Sequence, residues 1–105
     1  MNAEDISSFL SKHPVSVVYF SHENCSVCKV LKPKIISMVH TDFPESGFLY
    51  VDIKENPEAA AQNSIFTAPA IIVYIRNSEY KRFIRVFGVS EVNAAIEKAF
   101  QIINS

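Results

Sequence analysis

Apolar positions along this chain recur with two periods, and the switches between them mark its elements. Residues 2–12 carry Ile6, Phe9 and Leu10 at helical steps, with Asn2 as cap and Glu4 and Asp5 in the first turn, so a helix is predicted there. VSVVYF, residues 15–20, is an unbroken β-branched and aromatic run, as expected of a central strand covered on both faces. From Cys25 to about Val39 the period becomes helical again. Cys28, Leu31, Ile35, Met38 and Val39 form one stripe, with Lys29, Lys32 and Lys34 interleaved. PESG then leads into FLYVD, residues 48–52, and a strand–helix–strand order of this length predicts a parallel, right-handed crossover.

The second half adds a hairpin and two helices. Asn56 and Pro57 open a short helix containing EAAAQ. Pro69 precedes AIIVYI, residues 70–75, where proline is tolerated because it stands at the strand's entrance. RNSE, residues 76–79, predicts a turn into YKRFIRVF, residues 80–87. There Phe83, Val86 and Phe87 alternate with Lys81, Arg82 and Arg85 as an edge strand does, antiparallel to residues 70–75. Gly88 ends that strand, and Ser90 is the expected cap of a final helix whose stripe is Val92, Ala95, Ile96, Ala99, Phe100 and Ile103. The order α-β-α-β-α-β-β-α is that of an α/β protein, a central mixed β-sheet flanked by helices on both faces. At 105 residues, one domain spanning 1–105 is expected.

Composition narrows the function. Apolar residues make up 49% of the chain and charged ones 20%, so a packed core is expected rather than disorder. Ten basic and eleven acidic side chains leave almost no net field, which argues against nucleic acid as a partner. The first twelve residues are acidic and amphipathic, unlike a secretory signal, and no run reaches the roughly 18 apolar residues of a membrane span. A cytoplasmic monomer without a membrane contact is expected.

The chemistry is concentrated in HENCSVCKVLKP, residues 22–33. The chain's two cysteines, Cys25 and Cys28, fall after a central strand and at the start of a helix, the sheet end where ligands collect in open α/β folds. Unsatisfied N–H groups and the helix dipole stabilise a thiolate there. Two residues of spacing across a first helical turn also bring the β-carbons within reach of a bridge. Cys25 is expected at the exposed tip as attacking nucleophile, with Cys28 one turn deeper as resolving thiol. The alternatives are two small core residues, which leaves the helix-start placement unexplained, and a metal site, which needs four ligands where one pair stands. His40 lies roughly 18 Å from Cys28 along the helix at 1.5 Å per residue and cannot complete such a site. His22 and His40 are both read first as solvated or helix-end residues, with tuning of Cys25 the lesser alternative for His22. No metal or cofactor is expected.

In this order, strand, cysteine pair, helix, Asn-Pro-led helix and proline-led strand, the chain resembles the thioredoxin family over nearly its whole length. CSVCK matches the family's cysteine motif followed by lysine, and Pro33 matches the proline that kinks its active-site helix. VDIKENPEAAAQNSIFTAP is similar to the stretch ending in the family's cis-proline, and FGVS to the end of its last strand. The resemblance implies a thioredoxin-like fold and a cis Ala68–Pro69 bond lying against the cysteines. It also implies an Ala68 backbone free to pair with an extended substrate. Asn24, Ala68 and Pro69 are the implied substrate-binding residues.

Departures accompany these matches. Ser26 and Val27 stand where thioredoxins proper have Gly-Pro, and Asn24 where they have tryptophan. Tyr19 replaces the buried acid six residues before the first cysteine, and Tyr50 the lysine associated with it. Ala70 replaces a common threonine, and the 76–79 turn lacks its usual glycine. The implied activity is that of a thiol–disulfide oxidoreductase reducing protein or small-molecule disulfides. Its partners would be disulfide-containing proteins and a thioredoxin-reductase-like or low-molecular-weight thiol reductant. The lost acid motivates a rival reading, a binding or adaptor module that docks through a face around Asn24, Phe66 and Ala68. A weaker third reading has two protomers sharing their CSVC pairs around a metal or cluster.

Overall fold

The computed structural model describes residues 3–22 and 25–104. Its centre is β1 (Val15–Ser21), whose seven residues are all buried. β1 lies between β2 (Gly47–Asp52) and β3 (Ala70–Ile75), with β4 (Ser78–Ile84) outside β3, giving the order β2-β1-β3-β4. β1 pairs parallel with β2, Tyr19 opposite Tyr50, and antiparallel with β3, Val17 opposite Val73. The sheet is therefore mixed, as the sequence order predicts.

Because strand side chains alternate, β1 feeds two cores. Val15, Val17 and Tyr19 face α2 (Ser26–Asp42) and α4 (Val89–Ile103), meeting Ile35 and Val39 from one and Val92, Ile96 and Ala99 from the other. Val18 and Phe20 face α1 (Ala3–Ser11) and α3 (Pro57–Gln62), meeting Ile6, Leu10, Ala59 and Ala60. Fully burying a side chain such as Phe20 or Ile96 contributes about 2 kcal/mol. Both faces of the sheet are thus covered by helices.

Several boundaries differ from the sequence pattern. The hairpin turns at Arg76 and Asn77, so β4 starts at Ser78 and ends at Ile84 instead of running from 80 to 87. Arg76 takes a φ of 56° and Arg85 a φ of 65°, left-handed conformations that no glycine announces. Arg85 ends the alternation: its amide donates to Pro69 O at 2.8 Å, and Val86 is left exposed. The cap of α4 is Gly88, not Ser90; Val92 N donates to its carbonyl and Ser90 lies within the first turn. Asn56 stands at the cap of α3, but its Nδ2 turns back to donate to Asp52 O at 3.0 Å and leaves the helix amides alone. The predicted cap Asn2 lies outside the described residues.

A polar clamp fixes the chain between α3 and β3. Arg82 on β4 donates to Asn63 O at 2.9 Å and Ser64 O at 3.1 Å, and forms an ion pair with Glu79 at 2.7 Å. Tyr74 OH donates to Asn63 Oδ1 at 2.9 Å. The segment leading to Pro69 is therefore anchored on the hairpin.

At the opposite end of the sheet Gly47 allows α1 to close on β2. A β-carbon there would come within 2.6 Å of His13 Cδ2 and 3.0 Å of Phe9, whose rings already pack at 4.9 Å. Gly47→Ala should lower stability by about 1–3 kcal/mol through this overpacking, read as a fall in the urea midpoint at unchanged slope. An unchanged midpoint would show that the two rings yield freely.

Candidate redox site

Three strand ends converge where the cysteines lie. Ser21, the last residue of β1, is level with Asp52 at the end of β2, and Phe20 is level with Ala70 at the start of β3. The chain leaves β1 through His22, whose carbonyl accepts from Cys25 N at 3.2 Å, and enters α2 with Cys25 as its N-cap. The φ and ψ of Cys25, −87° and 102°, are extended, as a cap requires. Its Sγ accepts the Cys28 N–H at 3.2 Å, so sulfur takes the place that an Asp or Ser oxygen fills in an ordinary cap. No acidic side chain stands in the first turn of α2 to compete for the positive end of the dipole.

Cys25 and Cys28 form a disulfide with their Cα atoms 5.2 Å apart, inside the range that a bridge tolerates. Their exposures are 8% and 3%. Cys25 is the more accessible of the two, but the expected exposed tip is corrected: bridging folds its sulfur over the first helical turn onto Cys28. Pro33 lies inside α2, as its spacing implies.

The Ala68–Pro69 peptide is cis. Pro69 is buried and Ala68 half-buried, and the strand register carries both to the sheet end that holds the cysteines. Asn24 lies outside the described residues. Around this end Phe66, Val30 and Val86 are exposed apolar side chains, so Phe66 belongs to the surface. A shallow groove lined by Ser26, Val30, Leu31, Lys34, Phe87, Gly88 and Val89 runs along one side of α2. Among the described residues no three His, Cys, Asp or Glu side chains gather into a metal-sized cluster, and His40 sits in the last turn of α2. No described helix is long and apolar enough to cross a membrane.

The other side of α2 holds what the sequence left unseen. A groove lined by Ser21, His22, Cys28, Lys29, Lys32 and Tyr50 opens beside the deeper cysteine. Lys32 Nζ stands 3.8 Å over the centre of the Tyr50 ring, a cation–π contact. Tyr50 in turn stacks on Tyr19 with ring centroids 6.0 Å apart. Tyr19 is wholly buried, and its hydroxyl has no hydrogen-bond partner among the described residues. Burial, reinforced by Tyr50, pushes its pKa up to about 12. The signal for this arrangement was the four-residue step from Cys28 to Lys32, which places them on one helix face.

A bridging cysteine pair at the start of a helix, fed by a central strand and flanked by a cis-proline strand entrance, defines a thiol–disulfide exchange domain. The chain belongs to the thioredoxin family, whose profile, described as Thioredoxin, matches residues 1–98. It is 24% identical to the thioredoxin-like protein YdfQ of Bacillus subtilis over 97 residues, covering 92% of this chain and 86% of that protein. Among solved structures, thioredoxin 1 of Thermosipho africanus superposes with a TM-score of 0.78 at 37% identity, over 86% of this chain and 99% of the other. Plasmodium falciparum thioredoxin gives 0.82 at 25% identity, over 92% and 93%. The protein is a thiol–disulfide oxidoreductase.

The unpartnered phenol generates a stability prediction. Tyr19→Phe removes a buried hydroxyl that makes no hydrogen bond among the described residues, so the variant should be more stable than the parent, by about 1–3 kcal/mol at neutral pH. Because the folded phenol titrates above its ordinary value of 10.0, its neutral form favours folding fully below that pH, and this contribution is lost as pH rises through about 12. The variant should therefore lose less stability than the parent between those limits. Urea melts at pH 7 and across the alkaline range check both; a clear loss at pH 7 would mean that the hydroxyl has a partner.

Proposed function

We propose that the protein reduces disulfides of protein substrates, with Cys25 as attacking thiolate and Cys28 as resolving thiol. The observation that carries this assignment is the Cys25 sulfur in the N-cap position, accepting the Cys28 amide at 3.2 Å. In the reduced state the same position offers a thiolate one main-chain hydrogen bond and the field of a 17-residue helix. Cys25 attacks one sulfur of the substrate disulfide and the other leaves as a thiolate. Cys28 then attacks Cys25 in the mixed disulfide, the 25–28 bond forms, and the second substrate sulfur leaves with the electron pair. The substrate gains two electrons and two protons, and the protein is left oxidised.

Substrate is held as an extended segment along Ala68 and Pro69, with the apolar side chains Phe66 and Val86 at its margin, and Asn24 is carried over from the resemblance as a further substrate contact. A thioredoxin-reductase-like enzyme or a low-molecular-weight thiol restores the dithiol, and the working form is a cytoplasmic monomer of one domain. The 8% exposure of Cys25 favours the rival adaptor reading to the extent that the sulfur stays shielded after reduction.

Alkylation separates the two. In the Cys28→Ser variant, iodoacetamide at pH 7 should modify Cys25 at least about tenfold faster than a free thiol, reflecting a thiolate fraction raised by a pKa near or below neutrality. Equal rates would remove the activated nucleophile. In a thiol–disulfide buffer the wild-type couple should titrate reversibly within about −180 to −300 mV; a bridge that never opens in that window would leave the adaptor.

A further inference from the structure

In the proposed cycle Cys28 can resolve the mixed disulfide only as a thiolate, so it must first lose a proton. Its side chain is 3% exposed, which disfavours a charged sulfur, and among the described residues no carboxylate lines the groove beside it. What the groove does have is cations. Lys32 follows Cys28 by four residues on α2, about 40° around the helix, whereas Lys29 is turned by about 100°. The Tyr50 ring fixes the Lys32 ammonium at 3.8 Å, and Tyr50 is itself stacked on the buried Tyr19.

We propose that Lys32, seated on Tyr50, is a positioning residue that acts through Cys28 by stabilising its thiolate for the resolving step. The inference rests on the exchange reading above. Among the described residues, the titratable groups that line this groove besides Lys32 are Lys29 from α2, His22 from the β1–α2 connection and Tyr50 from β2; Tyr19 of β1 stacks on Tyr50, and Asp52 is level with Ser21 at the end of β2. Tyr19 is neutral at pH 7 and offers no negative charge against the ammonium. Asp52 Oδ1 is occupied by the amides of Lys54 and Glu55, at 2.9 and 3.1 Å. The Cys28 proton leaves to water through the open groove. The resulting thiolate attacks Cys25, the bond from Cys25 to substrate breaks, and the departing substrate sulfur is protonated from solvent.

Two readouts on the full-length chain test this. In Cys25→Ser protein the absorbance of the Cys28 thiolate, followed against pH, should show a midpoint about one pH unit higher with Lys32→Met than without it, and Lys32→Arg should restore most of the shift. In protein with both cysteines, the resolution of a preformed mixed disulfide should slow about tenfold at pH 7 in Lys32→Met and converge on the parental rate above both midpoints. An unmoved midpoint, or a rate lowered equally at every pH, would overturn the proposal. The midpoint is measured without any exchange reaction, so it stays readable if wild-type protein fails to turn over, an outcome that would count against the proposed function alone.

Discussion

Everything at the redox site depends on the complete burial of β1. A strand shielded on both faces has its register set twice over, because a slip of one residue would turn Val15, Val17 and Tyr19 out of one core and Val18 and Phe20 out of the other. β1 is hydrogen-bonded on both edges as well, parallel to β2 and antiparallel to β3. Its carboxyl end is therefore held firmly in place, and that end launches α2. The sulfur of Cys25 stands at the start of α2 because the strand that leads to it is fixed in register by both cores and both edges.

The same burial has a cost that the sequence accepts. Ser16 Oγ and Tyr19 OH are buried with no hydrogen-bond partner among the described residues, on opposite faces of β1. A neutral phenol without a partner penalises folding by about 1–3 kcal/mol, while an unpaired carboxylate in the same place would cost far more or stay protonated. Tyr19 thus sits where ionisation is hard and avoids ionising. With Tyr50 opposite, the two rings form a stacked, largely apolar floor, and the charge near Cys28 comes from α2 instead of the sheet.

The strands were legible in proportion to their hydrophobic continuity. VSVVYF and AIIVYI have few polar positions, and both are central strands within a residue of where the pattern puts them. The amphipathic β4 was displaced, because its limits depend on backbone conformations at Arg76 and Arg85 that residue type does not signal. Asn56 stands at the cap of α3 as expected, but a side chain that can cap can also bond elsewhere, and it bonds back to Asp52; the cap of α4 is Gly88 instead of Ser90. At the site, spacing and position sufficed to bring Cys25 and Cys28 together. The shielding of Cys25 was not legible, since it follows from how the bridged turn packs. The contact between Lys32 and Tyr50 needed the β1–β2 register, which brings Tyr50 level with Tyr19.

These features divide the surroundings of α2 into two chemically different sides. Ser26, Val30, Leu31 and Lys34 line the groove that also takes in Phe87 and Val89, while Cys28, Lys29 and Lys32 line the one floored by Tyr50. A helix advancing 100° per residue can present both within two turns. In an exchange cycle the two sulfurs have different needs. The attacking one must meet a protein surface, where exposed apolar side chains such as Val30 and Val86 favour docking. The resolving one must hold charge while buried, where an immobilised cation is worth more than one in bulk water. Placing the sulfurs one turn apart gives each its own environment while keeping their Cα atoms 5.2 Å apart. That separation of tasks within a single helical turn is what a cysteine pair at a helix start offers and a pair within a strand or loop does not.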